Sequence, residues 1–136
     1  NIILGYQIPV YGKGLNIRDW LYVDDHIFAL EKIIFKGVPG ERYCIGGENE
    51  INNLNLVELI CDIATDYKIS HKKNNYKELI QFIEDRPGHD LRYSINSSFT
   101  QKQLNWSQQT NLEDGLTKTI KWYSSFQDWW KPLLKT

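Results

Sequence analysis

An apolar run that ends near a proline–glycine pair is the strongest constraint on the fold of this chain. Residues 79–83 read Leu-Ile-Gln-Phe-Ile, and residues 84–90 carry Pro87-Gly88 among charged side chains. The run predicts a buried strand, and the proline–glycine pair predicts its end. Arg86 and His89 would then lie on a stiff loop after a strand, where proteins often place ligand-binding groups. A polar surface turn is the alternative interpretation.

The rest of the chain alternates strand and helix patterns, which predicts an α/β fold in one domain of 136 residues. Four further segments have an extended pattern: 8–11, 18–23, 42–45 and 92–95. Each predicted helix follows a residue that favours the N-cap position: Asp24, Asn55, Ser97 or Ser98, and Asn111. Residues 1–5 resemble the end of a helix that closes at a glycine. Because the chain also lacks Met, we interpret it as a piece of a longer protein.

Composition argues against several classes of partner. The formal net charge of −1 gives no electrostatic case for binding nucleic acid or an anionic membrane. A basic cluster around residues 68–77 is interrupted by Asn74-Asn75, so we expect a solvated connection. Cys44 and Cys61 are predicted to pack as small hydrophobic residues in a reduced, cytoplasmic protein. No apolar run approaches the length needed to span a bilayer.

Common catalytic and metal-binding signatures are not found in the sequence. Gly12-Lys13-Gly14 leads into an extended segment instead of a helix, which does not fit a phosphate loop. Asp24, Asp25 and His26 are adjacent, but Asp24 is explained as a helix cap and a divalent site needs three or more converging ligands. We therefore predict neither a metal site nor catalytic residues in this chain.

Anion binding is better supported by the residue types. Arg18 closes a glycine-rich turn and Arg86 lies on the proline–glycine loop, so two guanidinium groups together would clamp a diphosphate. Asn53 at a helix start and His89 beside Arg86 would bind hydroxyl or phosphate oxygens, and a helix N-terminus adds a favourable dipole. By spacing alone, an ordinary surface role stays open for each arginine.

Three separated segments, in order, resemble one family. They are Pro9-Val10-Tyr11-Gly12-Lys13-Gly14 continuing to Arg18-Asp19-Trp20-Leu21-Tyr22-Val23-Asp24-Asp25-His26, Tyr43-Cys44-Ile45-Gly46-Gly47 with Asn49-Glu50 and Asn53-Leu54, and Asp85-Arg86-Pro87-Gly88-His89-Asp90 with Arg92-Tyr93. The chain resembles the C-terminal part of the dTDP-glucose 4,6-dehydratases, which are extended short-chain dehydrogenases/reductases with a Rossmann-type fold. The resemblance extends over essentially the whole chain.

The resemblance implies a nucleotide-sugar cleft lined by six residues: Pro9, Tyr11, Arg18, Asn53, Arg86 and His89. The arginines would hold the diphosphate of a dTDP-sugar, the asparagine and histidine would assist at the nucleoside and phosphates, and the proline and tyrosine would pack around the nucleoside. The implied enzyme is a lyase. It oxidises C4 of dTDP-glucose with NAD, removes water across C5 and C6, and returns the hydride to C6.

The chain lacks the family's NAD-binding glycine fingerprint, its Tyr-x-x-x-Lys pair and its dehydration residues. The resemblance therefore implies that residues 1–136 are the nucleotide-sugar-binding portion, inactive alone, of a cytoplasmic homodimer whose NAD-binding half is not in this chain. The 42–45 strand would join the sheet of that half. Two alternatives stay open: another extended reductase (a UDP-sugar dehydratase or sugar-nucleotide epimerase), or a non-catalytic nucleotide-sugar-binding or assembly module.

Overall fold

The structure, a computed structural model, describes residues 1–69 and 74–134. Short strands alternate with helices, which confirms the predicted α/β class. The elements are β1 (Ile8–Tyr11), β2 (Ile17–Asp19), α1 (Val23–Lys36), β3 (Glu50–Asn52), α2 (Asn53–Asp66), a 3-10 turn (Tyr76–Leu79), β4 (Ile80–Ile83), α3 (Ser98–Leu104), α4 (Leu112–Ser125), α5 (Gln127–Trp130) and a second 3-10 turn (Lys131–Leu134).

Two small sheets bring distant parts of the chain together. β1 and β4 pair in parallel from Ile8 opposite Ile80 to Tyr11 opposite Ile83, so the strands predicted at 8–11 and 79–83 are confirmed, the second beginning one residue later. The predicted burial of the second strand is wrong, because no residue of β4 is buried and Phe82 is 56% exposed. β2 and β3 pair antiparallel. Ile17 of β2 also bonds to the segment after β4, through Leu91 O at 2.7 Å and Tyr93 N at 3.0 Å.

Helix starts follow the sequence predictions unevenly. Asn111 caps α4 as predicted, because its side chain accepts from the backbone N–H of Asp114. The predicted Asp24 cap is wrong: α1 already begins at Val23, and Tyr22 before it makes no side-chain cap bond. The Asn55 cap is also wrong. α2 begins two residues earlier, where Asn52 accepts from the N–H of Asn55 at 2.8 Å.

Three predicted extended segments are shorter or missing. Within the described part of the chain, segment 92–95 forms a single bridge, from Arg92 to Ile17, and no strand. The 18–23 strand reduces to β2, because the chain enters α1 at Val23. The segment 42–45 has no strand partner among residues 1–69 and 74–134, so the prediction of a strand there is wrong for this chain. This segment is held instead by α3: Thr100 Oγ1 donates to Cys44 O at 2.6 Å. Without a covering sheet Cys44 is exposed, which contradicts its predicted burial.

The core consists of two clusters. Cys61 and Ala64 of α2 pack with Tyr76 and Leu79, which confirms that Cys61 acts as a small buried hydrophobic residue. The second cluster joins α1 to the end of α3 and contains Ala29, Leu104 and Trp106.

A buried carboxylate fixes the chain between α3 and α4. Asp25 is only 4% exposed, and its two oxygens accept from Gln109 N at 3.0 Å and Thr110 N at 2.9 Å. Trp106 Nε1 donates to the Asp25 carbonyl at 3.2 Å. Asp25 therefore has a structural role and is not a free metal ligand.

The first residues close as a helix end does. Tyr6 N donates to Asn1 O at 3.0 Å, Gly5 N donates to Ile2 O at 3.1 Å, and Gly5 has a φ of 77°. Within the described ranges, we find no helix that is both long and apolar enough to cross a membrane. The basic residues His71, Lys72 and Lys73 lie outside the described residues.

Candidate anion-binding site

The loop 84–90 follows β4, and its histidine is held by its own aspartate. His89 Nδ1 lies 2.7 Å from Asp85 Oδ1, and the backbone N–H of Arg86 donates to the same oxygen at 2.9 Å. The hydrogen bond with His89, followed by the backbone bond from Arg86, holds the pKa of Asp85 below its ordinary value. Because the His89 side chain is only 5% exposed, its imidazole is held in one orientation.

A glycine allows β1 to approach this loop closely. Gly12 donates from its N–H to Ile83 O at 2.9 Å and has a φ of 55°, a left-handed conformation that suits glycine. A Cβ atom at this position would lie 2.9 Å from Asp85 Oδ2. A larger residue here would therefore displace the aspartate that orients His89.

Tyr11 lies between Arg86 and His89. The guanidinium carbon of Arg86 is 5.9 Å from the centroid of the Tyr11 ring, and the His89 ring meets the same ring edge-on at 6.0 Å. Pro9 is two residues earlier on β1, so it lies on the same face of the strand, and both residues are exposed. The structure thus brings four of the six predicted residues to the β1–β4 edge.

Arg18 of β2 reaches the other end of the loop. Its Nη2 donates to Asp90 O at 3.0 Å and its Nη1 to Ile17 O at 2.6 Å. The Arg18 guanidinium carbon also lies 4.6 Å from the centroid of the Tyr93 ring. A guanidinium has five N–H donors, so the two bonds leave three for a ligand.

Tyr93 lies in the field of both arginines. Its hydroxyl is hydrogen-bonded to the Asp90 carboxylate, which raises the pKa of Tyr93, while the charges of Arg18 and Arg86 act in the opposite direction. The phenol therefore stays protonated at neutral pH and donates to Asp90. Both guanidinium groups are therefore near enough to this hydroxyl for their charges to act on it.

Asn53 is the first residue of α2, but the start of this helix is not an open anion site. The first three backbone N–H groups of α2 already have protein acceptors, in the carbonyls of Asn16 and Gly14 and the side chain of Asn52. At α2, the helix N-terminus that we expected to favour a bound anion is therefore occupied by protein acceptors. Any contribution of Asn53 to binding falls to its half-buried side chain.

Three contributing residues were missed in the sequence. Asn16 is 6% exposed and donates from Nδ2 to Asp90 O at 3.1 Å, which ties the loop to the start of α2. Asp85 and Tyr93 orient His89 and Arg18. Asp85 and Tyr93 belong to the third segment that carries the resemblance. Their closeness to Arg86 in the sequence is the signal that could have identified them. For Asn16 no such signal exists, because its partner is 74 residues away.

Two apolar clefts are not lined by the residues of this anion site. One, of about 490 Å³, lies between α2 and α4 beside Ile60, Ala64 and Ile120. The other, of about 580 Å³, lies between α4 and the chain before α1, and is lined in part by Trp20 and Trp122. Charge and hydrogen-bonding geometry, instead of cavity size, identify the anion site. Among residues 1–69 and 74–134, no group of three acidic, histidine or cysteine side chains is arranged to hold a metal ion.

Comparisons with known proteins agree with the resemblance seen in the sequence. The model of the GDP-mannose 4,6-dehydratase family matches residues 1–119. The chain is 48% identical to a dTDP-glucose 4,6-dehydratase of Escherichia coli, over 98% of this chain and 38% of that protein. The chain therefore spans well under half the length of this relative.

Two solved structures of enzymes with the same name share the fold. The dTDP-glucose 4,6-dehydratase of Bacillus anthracis, in complex with NAD, has a TM-score of 0.82 and 38% identity, over 97% of this chain and 40% of that one. The enzyme of Streptomyces venezuelae, also with NAD bound, has a TM-score of 0.86 and 33% identity, over 98% and 38% of the two chains. Since the family model extends over residues 1–119 of the 136, this chain belongs to the GDP-mannose 4,6-dehydratase family.

Proposed function

We propose that this chain is the C-terminal nucleotide-sugar-binding portion of an NAD-dependent dTDP-glucose 4,6-dehydratase, a lyase that converts dTDP-glucose to dTDP-4-keto-6-deoxyglucose. The observation that carries the proposal is that Arg18 and Arg86 meet at one loop: Arg18 Nη2 donates to Asp90 O at 3.0 Å, and Arg86 lies on the same loop with its guanidinium 5.9 Å from the Tyr11 ring. The 48% identity to the E. coli enzyme supports this substrate.

The two arginines would bind the diphosphate. Arg18 has three N–H donors left, and within the described ranges no protein atom accepts a hydrogen bond from the Arg86 guanidinium. Paired guanidinium groups match the oxygens of a diphosphate and make charge-assisted hydrogen bonds that are stronger than neutral ones. His89 would add a bond from the ring nitrogen that Asp85 does not engage.

The remaining predicted residues would contact the nucleoside. Pro9 and the Tyr11 ring form an exposed apolar surface next to Arg86, which suits the ribose and base. Asn53 would bind a hydroxyl or carbonyl group through its side chain.

The described residues do not fit NAD. Gly12 and Gly14 precede β2 instead of a helix, and the position of a Cβ at Gly14 is filled by Leu54 and Val10 at 2.8 Å each. The glycines thus serve close packing and leave no cradle for a pyrophosphate. We therefore assign the redox chemistry, and the catalytic residues, to the part of the enzyme that is not in this chain.

We further propose that the intact enzyme is a cytoplasmic homodimer in which this chain packs against an NAD-binding Rossmann half. The outer face of α1 supports a packing surface of this kind, because Ile34 and Phe35 are each 77% exposed. The segment 42–45 lies beside it in sequence and has no strand partner in the described ranges, so its backbone groups other than the Cys44 carbonyl, which accepts from Thr100, could join a sheet edge.

A chimera tests the substrate assignment. Residues 1–136 replace the matching segment of the E. coli dTDP-glucose 4,6-dehydratase, and product formation is followed by mass spectrometry with dTDP-glucose, UDP-glucose and GDP-mannose. We expect conversion of dTDP-glucose, and its loss in the same chimera carrying Arg18→Ala and Arg86→Ala. A folded, NAD-containing chimera that prefers UDP-glucose or GDP-mannose would assign the chain to another reductase of the fold. If it binds none of the three sugars, the site assignment is wrong.

A further inference from the structure

We propose that Tyr93 is a positioning residue of the anion site, which keeps Arg18 and Arg86 available to a diphosphate by occupying the Asp90 carboxylate and supporting the Arg18 guanidinium. The inference rests on the proposed function and deepens it. Tyr93 is not one of the six residues expected to touch the ligand, and it acts here through its neighbours.

The backbone and ring of Tyr93 determine the position of Arg18. Tyr93 N donates to Ile17 O at 3.0 Å, which fixes the tyrosine beside β2. Its ring then supports the Arg18 guanidinium at 4.6 Å. Stacking on an aromatic face leaves the edge of a guanidinium, where its N–H groups lie, free to bind an anion.

The hydroxyl of Tyr93 engages an acid that would otherwise compete with the ligand. Asp85 and Asp90 both lie on the loop with Arg86, yet neither Arg18 nor Arg86 forms an ion pair in the described ranges. His89 is hydrogen-bonded to the Asp85 carboxylate, and the Tyr93 hydroxyl donates to the Asp90 carboxylate. Asp85 and Asp90 are thus each bound by a partner other than the two arginines.

A nearby arginine shows the ion pair that Arg18 and Arg86 do not make, with an acid that also accepts from Ser94 Oγ. Arg92 donates to both oxygens of Glu50, from Nε and Nη2 at 2.8 Å each. This bidentate pair neutralises Arg92 and occupies the edge that an anion would use. Arg18, on β2 beside it, makes no such pair: it binds the Asp90 carbonyl, while the Asp90 carboxylate accepts from the tyrosine hydroxyl.

The test is a double-mutant cycle on the 136-residue chain, with inorganic pyrophosphate as the calorimetric probe. Tyr93→Phe frees Asp90 to pair with an arginine, so we expect pyrophosphate affinity to fall about two- to fivefold. Tyr93→Leu also removes the ring, and a further fall of about two- to fivefold is expected. Tyr6→Phe, at an exposed tyrosine (62%) remote in sequence, should bind as the unmodified chain does.

Rescue distinguishes this role from a general structural one. In a chain that already carries Asp90→Asn, no Asp90 carboxylate remains to pair with an arginine. Adding Tyr93→Phe should then lower the affinity for pyrophosphate by less than about twofold. An equal loss in both backgrounds, or no loss in either, overturns the inference, and so does a chain that binds no pyrophosphate. The dTDP-glucose chimera reports separately: an active chimera with no coupling between Tyr93 and Asp90 rejects only the role of Tyr93. Coupling with an inactive chimera rejects only the proposed substrate.

Discussion

His89 and Asp85 are joined across the Pro87-Gly88 turn, with Nδ1 and Oδ1 2.7 Å apart and the histidine side chain nearly buried. The bond orients the imidazole so that its second nitrogen is the one left for a ligand. Replacing the carboxylate by an amide weakens this orientation. We expect Asp85→Asn to lower dTDP affinity about two- to fivefold in a calorimetric titration. Asp62→Asn, which alters an acid paired with Lys77, is the matched control and should leave affinity unchanged.

Arg86 is expected to bind the diphosphate directly. Arg86→Ala in the intact enzyme removes charge-assisted hydrogen bonds worth about 1.5–3 kcal/mol, so dTDP-sugar affinity should fall roughly ten- to hundredfold. Calorimetry measures the change. Arg42→Ala, at another exposed arginine, controls for the loss of one positive charge. Equal affinities for the Arg86→Ala variant and the unmodified protein would remove Arg86 from the site.

Comparing Gly12 with Gly88 distinguishes the effect of backbone strain from the effect of a contact with Asp85. Gly12 and Gly88 have φ values of 55° and 70°, so alanine at either should destabilise the chain by about 1–2 kcal/mol in urea unfolding. Only at Gly12 would the new Cβ meet the Asp85 carboxylate; at Gly88 no atom lies within 4 Å. We therefore expect Gly12→Ala, but not Gly88→Ala, to weaken dTDP binding as well. Similar binding losses in the two variants would contradict this explanation.

The Glu50–Arg92 pair should make stability depend on pH in acid. Hydrogen bonds from Arg92 and then Ser94 hold the pKa of Glu50 at about 2, below its ordinary value of 4.5. A depressed carboxyl pKa stabilises the fold fully above about pH 4.5, and this contribution is lost as the pH falls towards about 2. Glu50→Gln should therefore be less stable than the unmodified chain at neutral pH, with a difference that shrinks across this window. Unfolding by urea at a series of pH values measures it, and Glu41→Gln, at an exposed acid after α1, provides the control.

The Asp25 carboxylate should contribute to stability instead of binding. Asp25→Ala leaves Gln109 N and Thr110 N without their acceptors, and we expect a loss of about 1–3 kcal/mol in the free energy of unfolding. Asp25→Asn keeps one acceptor and should lose less. Asp24→Ala changes an exposed acid in the same helical turn, where about 0.3–1 kcal/mol is expected from the helix dipole.

Local signals in the sequence predicted local structure well. The Asn111 cap and the 8–11 strand depend on neighbouring residues, and both are confirmed. The start of α2 was placed too late because Asn52, Asn53 and Asn55 are all suitable caps. Pairing of β3 with β2 ends at Asn52, and this tertiary contact decides between them.

Residue type identified charged groups but not their supports. Arg18, Arg86 and His89 stand out in the sequence by their chemistry. The loop is tied to Arg18, however, by side-chain bonds from Asn16 and Arg18 to Asp90 O, which span 74 and 72 residues. For the segment 42–45 the local signal is present, but the predicted strand is not. Its side chains favour a strand, but a strand also requires a partner edge, which local sequence does not supply.

β2 is held on both edges: it pairs with β3 on one side, and on the other Ile17 bonds to Leu91 and Tyr93. The loop 84–90 is therefore not a module that can be exchanged alone between related enzymes. Residues 84–95 grafted alone into a related enzyme would lack the β2 strand that aligns them. Removing them from this chain would also remove the Tyr93 ring that supports Arg18. To change the nucleotide preference of an enzyme with this fold, β2, β3 and the loop should be transferred together.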